Sequence, residues 1–109
     1  MSNYLFIESR DPFDSTDTSF LADTATSLKR RGNDVTIFLV QNAVLATRKQ
    51  ARKSQLPQLQ ESGIAVLADD FSLRERGIQP DECQPNVKTA TIDQLVDLLV
   101  VENTKAIWH

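Results

Sequence analysis

Among 109 residues the chain has one cysteine, Cys83, and one histidine, His109, together with three glycines and four prolines. Each shortage removes a class of function. One thiol cannot form an internal disulfide and supplies too few ligands for a structural zinc or an iron–sulfur cluster. A single histidine at the last position leaves neither a Ser-His-Asp triad with an ordered base nor a His-rich zinc site. The longest apolar runs, residues 35–40 and 98–101, fall far short of the roughly 20 residues that span a bilayer. Residues 1–4 carry neither a basic region nor an apolar stretch before a cleavage site, so no export signal is expected and a cytoplasmic location is. Positive charge is scarce too. Twelve Lys and Arg stand against 15 Asp and Glu, a balance that disfavours a polyanionic partner such as nucleic acid.

What is present is ordinary for a globular protein: 40% hydrophobic and 25% charged residues, enough for one compact domain over residues 1–109 with one core. Residues 4–7 read as a buried first strand ending in turn material. Phe20, Leu21, Ala25 and Leu28 follow at helical spacing, with Ser15, Thr16 and Asp17 as candidate N-caps. The run 35–40 is continuous instead of alternating, which predicts a strand covered on both faces of a parallel sheet. Then come a short helix over 42–47, a polar segment over 48–55, a helix opened by Pro57, a third strand over 64–68 and a short helix over 69–76. A brief fourth strand over 86–88, a helix from the Thr91 capping box to about Val101 and a last strand over 106–108 complete the pattern. Strands alternating with helices predict a three-layer α/β fold with a mainly parallel, five-stranded sheet in a flavodoxin-like arrangement.

Gly32, Gly63 and Gly77 each follow a predicted helix, where a left-handed residue closes the last turn. None is left for a phosphate-cradling loop, and neither dinucleotide-binding nor P-loop spacing occurs. No nucleotide or other cofactor is expected.

In an open parallel sheet the functional crevice lies beyond the C-terminal ends of the strands, which makes Glu8, Asp11, Gln41, Asn42, Asp69 and Asp70 the candidates. The four acids could gather around magnesium, or present a phosphoacceptor aspartate as in receiver domains. Equally, Asp69 could cap the helix that follows, with Asp70 complementing its positive end. Lys105 precedes the last strand and the acidic pair typical of receivers is missing after the first, so the capping reading is preferred and no metal site is expected. Cys83 lies between two prolines and beside two acids, and neighbouring carboxylates disfavour a thiolate. It is the one candidate nucleophile, with a small semi-buried turn residue as the alternative. Arg48, Lys49, Arg52 and Lys53 would share one face if their segment is helical, either docking an anion or lying solvated. Lys29, Arg30 and Arg31 form a second basic group. Leu95, Leu98 and Leu99 read as core.

The helix end 28–32, the run 34–44 and Ser72-Leu73-Arg74-Glu75-Arg76-Gly77-Ile78, taken with the first strand, resemble in order and spacing the DsrE/DsrF-like proteins, which include TusD-like sulfur-relay subunits. The resemblance implies a small α/β subunit that assembles into a homo-oligomer, or a hetero-oligomer with related subunits, and serves intracellular sulfur trafficking beside a sulfur-carrier protein. Active members carry a persulfide on a cysteine after the third strand, where a helix N-terminus stabilises the thiolate. Counting back from Arg76-Gly77, that position is Asp69. The resemblance therefore implies an accessory or assembly subunit, sulfurtransferase-like at most. An active persulfide carrier through Cys83 is the alternative, and a receiver-like phosphoacceptor the more distant one.

Overall fold

Five strands form one sheet in a computed structural model that describes residues 2–11, 17–51 and 55–109. In chain order they are β1 (Asn3–Glu8), β2 (Asp34–Leu39), β3 (Ala65–Asp69), β4 (Lys88–Ala90) and β5 (Thr104–Trp108). They lie in the order β4-β3-β2-β1-β5, and every neighbouring pair is parallel. Continuous apolar runs are what such strands need, because successive side chains enter two different cores. Phe6, Val35, Ile37, Leu39, Val66 and Ala68 point into one, while Leu5, Ile7, Phe38, Val40 and Ala90 point into the other.

The order of strands decides how those cores are covered. From β1 to β4 each step moves the same way across the sheet. Right-handed crossovers then place α1 (Asp17–Arg30), α2 (Leu56–Glu61) and α3 (Asp70–Glu75) on one face. Leu21, Ala25, Leu56, Leu59 and Leu73 from these helices complete the larger core. The last crossover runs back from β4 to the far side of β1, so among the described residues α4 (Ile92–Leu99) is the one helix on the opposite face, contributing Leu95 and Leu98 to the smaller core. The result is a flavodoxin-like, three-layer α/β domain with unequal layers.

Local differences from the sequence expectations have local causes. The segment after β2 is a 3-10 helix, Gln41–Thr47, with Ala43, Val44, Ala46 and Thr47 buried; pairs spaced by three suit three residues per turn. The fourth strand begins at Lys88, not 86, because Asn86 takes a left-handed φ of 72° that a strand does not accept. The third strand is displaced by one residue, and α4 stops at Leu99, where Val100 caps it. Leu99 is exposed, so the expectation that it joins the core with Leu95 and Leu98 is overturned. Arg48 and Lys49 are not helical: Arg48 bridges Cys83, and the Lys49 N–H donates to the Glu82 carbonyl at 3.0 Å. Their predicted partners Arg52 and Lys53, like the candidate caps Ser15 and Thr16, lie outside the described residues.

Gly77 closes α3 at φ 67°. Its N–H donates to the Arg74 carbonyl at 3.1 Å, and the Ile78 N–H donates to the Leu73 carbonyl at 2.9 Å, the paired bonds of a Schellman motif. Gly77→Ala is expected to destabilise the fold by about 1 kcal/mol through the left-handed backbone alone, since a Cβ there would meet nothing within 4 Å. A urea midpoint unchanged from wild type would contradict this. Among the described residues no helix is long and apolar enough to cross a membrane.

Candidate functional site

Among the described residues two polar groups occupy the C-terminal edge of the sheet. The first lies where strand order reverses, between β1 and β5, the position at which open α/β sheets form ligand crevices. Glu8 ends β1 and is 3% exposed. Its Oε1 accepts from the Arg10 N–H at 2.9 Å, and its Oε2 lies 2.8 Å from His109 Nδ1. His109 is itself fixed by the backbone: its N–H donates to the Ile7 carbonyl at 2.9 Å, and its carbonyl accepts from the Ser9 N–H at 3.0 Å and the Ser9 hydroxyl at 3.1 Å. His109, which the sequence leaves without a triad or zinc role, is therefore an ordered residue. Continuing the β1–β5 ladder by one residue holds it in place. The cavity beside Glu8 measures about 30 Å³ and is lined mainly by apolar side chains such as Leu39, Ala43 and Leu56, room for about one water molecule.

The second group is built on β3 and α3. Asp69 ends β3 in an extended conformation and caps α3. Its Oδ2 accepts from both the Ser72 N–H, at 3.0 Å, and the Ser72 hydroxyl, at 2.7 Å. Ser72 Oγ in turn accepts from the Gln41 N–H at 2.9 Å, tying the end of β3 to the turn that follows β2. Gln41 takes a φ of 51° at that turn. Next to it Asn42 Oδ1 accepts from Arg76 Nε at 3.2 Å and from its terminal nitrogen at 3.1 Å, and Arg76 also donates to the Ser72 carbonyl. Asp70 faces outward and pairs with Arg74 at 3.6 Å, an exposed contact worth little. Asp11 is buried after β1.

Ser72, Arg76 and His109 thus join candidates that the sequence placed singly. For Ser72 the signal was available: it stands three residues after an acid at the end of an apolar run, the spacing of an N-cap and its amide partner. Cys83 belongs to neither group. Its side chain is buried in the larger core, with Sγ 3.6 Å from Thr47 Oγ1 and 3.9 Å from the Gln79 carbonyl. Among the described residues no three His, Cys, Asp or Glu side chains gather to hold a metal ion.

Comparison with known proteins places this geometry. The model of the DsrE/DsrF-like family matches residues 2–102. No curated protein sequence matches. The E. coli ychN protein superposes with a TM-score of 0.87 at 17% identity, and protein MTH1491 of Methanobacterium thermoautotrophicum with 0.84 at 16%, each over 100% of both chains. Protein BT1422 of Bacteroides thetaiotaomicron superposes with 0.75 at 20% identity over 99% of this chain and 95% of its own. At such identities the likeness is one of fold.

Proposed function

Because the chain belongs to the DsrE/DsrF-like family, we propose that it serves intracellular sulfur relay as an accessory subunit, keeping the family fold while a cysteine-bearing partner carries the sulfur. The observation that supports this reading is Asp69. The resemblance puts the persulfide cysteine at this position, and here a carboxylate fills it, with its Oδ2 accepting from both the Ser72 N–H and the Ser72 hydroxyl. A carboxylate cannot form the S–S bond that holds transferable sulfur. Cys83 is a poor substitute, because a thiol must be accessible and ionised to attack a sulfane donor, and this one is buried. Its partners are then further copies of this chain, related subunits or a sulfur-carrier protein.

Exposure to an organic persulfide, followed by intact-mass spectrometry, tests the reading. In loading, a protein thiolate attacks the donor's outer sulfur, a new S–S bond forms and the donor leaves as its thiolate. Wild type and Cys83→Ser are expected to keep their mass, whereas Asp69→Cys gains one sulfur atom. A wild-type protein that gains sulfur and loses that ability on Cys83→Ser overturns the accessory reading in favour of a Cys83 carrier.

A further inference from the structure

On the sheet face that α4 covers, the apolar surface of that helix is wider than one contact needs. At about 100° per residue, the apolar side chains of residues 92–100 sweep an arc of about 200° around the helix, where a helix lying on one core needs a stripe of about 100°. Leu95 and Leu98 use half of that arc against the sheet. The other half is Ile92, Val96, Leu99 and Val100, spaced by four, three and one, and all four are exposed, Val100 at 76%. Asp93, Gln94 and Asp97 take the remaining, solvated arc.

Two further features lie on the same side of the sheet. Trp108 stands next to Ile7 in the β5–β1 register, hence on the face of the smaller core, and is 64% exposed. Beside the end of α4, a groove of about 180 Å³ is lined by Asn3, Leu5, Thr36, Leu98, Val101 and Thr104, among others. Thr104 Oγ1 is buried there without a hydrogen-bond partner. Ile92, Val96, Leu99, Val100, Val101 and Trp108 together present on the order of 600 Å² of apolar surface, at the upper end for the largest patch on a monomer. That is about three quarters of the roughly 800 Å² that each partner contributes to an interface of standard size.

We propose that the outer face of α4 is a twofold interface with a second copy of this chain, helix against helix, centred near Val96. Three observations favour the same chain as occupant. The stripe is free of charge and so makes no demand for a partner of opposite sign. Ile92 and Val100 lie four residues either side of Val96, so an antiparallel copy sets Ile92 against Val100 and Val96 against its own counterpart. Protruding side chains and the groove that could receive them occur on one face of one chain. This names the surface behind the subunit reading and rests on that reading only for the expectation of assembly.

The test is the solution mass of the full chain purified alone at about 50 µM, by sedimentation velocity with no sulfur donor present, so that its outcome is separate from the persulfide experiment. Wild type is expected at twice the 12.2 kDa chain mass or an even multiple of it. Val96→Glu and Val100→Glu, each on an exposed site and each with an unchanged circular dichroism spectrum, are expected to halve that mass by burying an unpaired carboxylate on both sides of the twofold. Phe20→Glu, on the opposite face, is expected to leave it unchanged. A wild-type monomer overturns the proposal, as does a mass that survives both α4 changes.

Discussion

Phe38→Ala is expected to destabilise the protein by about 3–5 kcal/mol, the range for removing a fully buried aromatic side chain. Phe38 sits on the middle strand of the sheet with none of its surface exposed, packed among Leu5, Ile7, Val40, Ala90 and Leu95. The cavity it leaves is hard to fill from above, because among the described residues the one helix over this core is α4, of eight residues. A domain of this size holds only about 5–15 kcal/mol in total, so the variant is expected to unfold at a much lower urea concentration, followed by circular dichroism. Phe38→Leu, which keeps most of the volume, is expected to lose less than half as much. If the alanine variant loses under 1 kcal/mol, the smaller core is not a cooperative part of the fold.

Asp69→Ala is the second large effect, about 3 kcal/mol. A helix N-cap alone is worth ~1 kcal/mol, and the linear chain predicts no more than that. The structure adds a second bond, from the Ser72 hydroxyl to the same carboxylate oxygen, in a buried setting, and bonds to a charged acceptor contribute about 1.5–3 kcal/mol each. Removing the carboxylate also frees Ser72 Oγ, the acceptor for Gln41 N–H, so the loss spreads to the turn after β2. Asp69→Asn retains an acceptor and is expected to lose about half as much. Equal urea midpoints for the alanine variant and wild type would show that the network contributes nothing.

These two sites differ in how far the sequence announces them. Phe38 lies inside a continuous apolar run, and that continuity alone implies a strand buried on both sides. Asp69 lies between such a run and a glycine-terminated helix, so its place at the strand end and its cap partner both follow from local spacing. Contacts between distant segments do not. Nothing near Glu8 announces His109, because their meeting depends on β5 returning beside β1 in a given register. Leu99 shows the same gap from the other side. Its spacing fits a core position, and only the location of α4 relative to the sheet decides which of the helix's apolar faces is covered. Gln41 joins Ser72 through a backbone amide, which residue type cannot signal at all.

The return of β5 to β1 also governs when the sheet can be completed. Ser9 and His109 are bonded across a separation of 100 residues, and contacts so remote in sequence are slow to form, since a long loop must close before any gain is realised. During synthesis β2, the partner on one side of β1, is made about 70 residues before β5, so the other edge of β1, with the amides and carbonyls of residues 3–8, stays open until Thr104–Trp108 has been made. An open edge flanked by Leu5 and Ile7 is a template for pairing with other nascent chains. Termination of translation shortly before Thr104 should therefore yield aggregates instead of a shorter folded protein, with the five residues of β5 acting as the seal on the sheet.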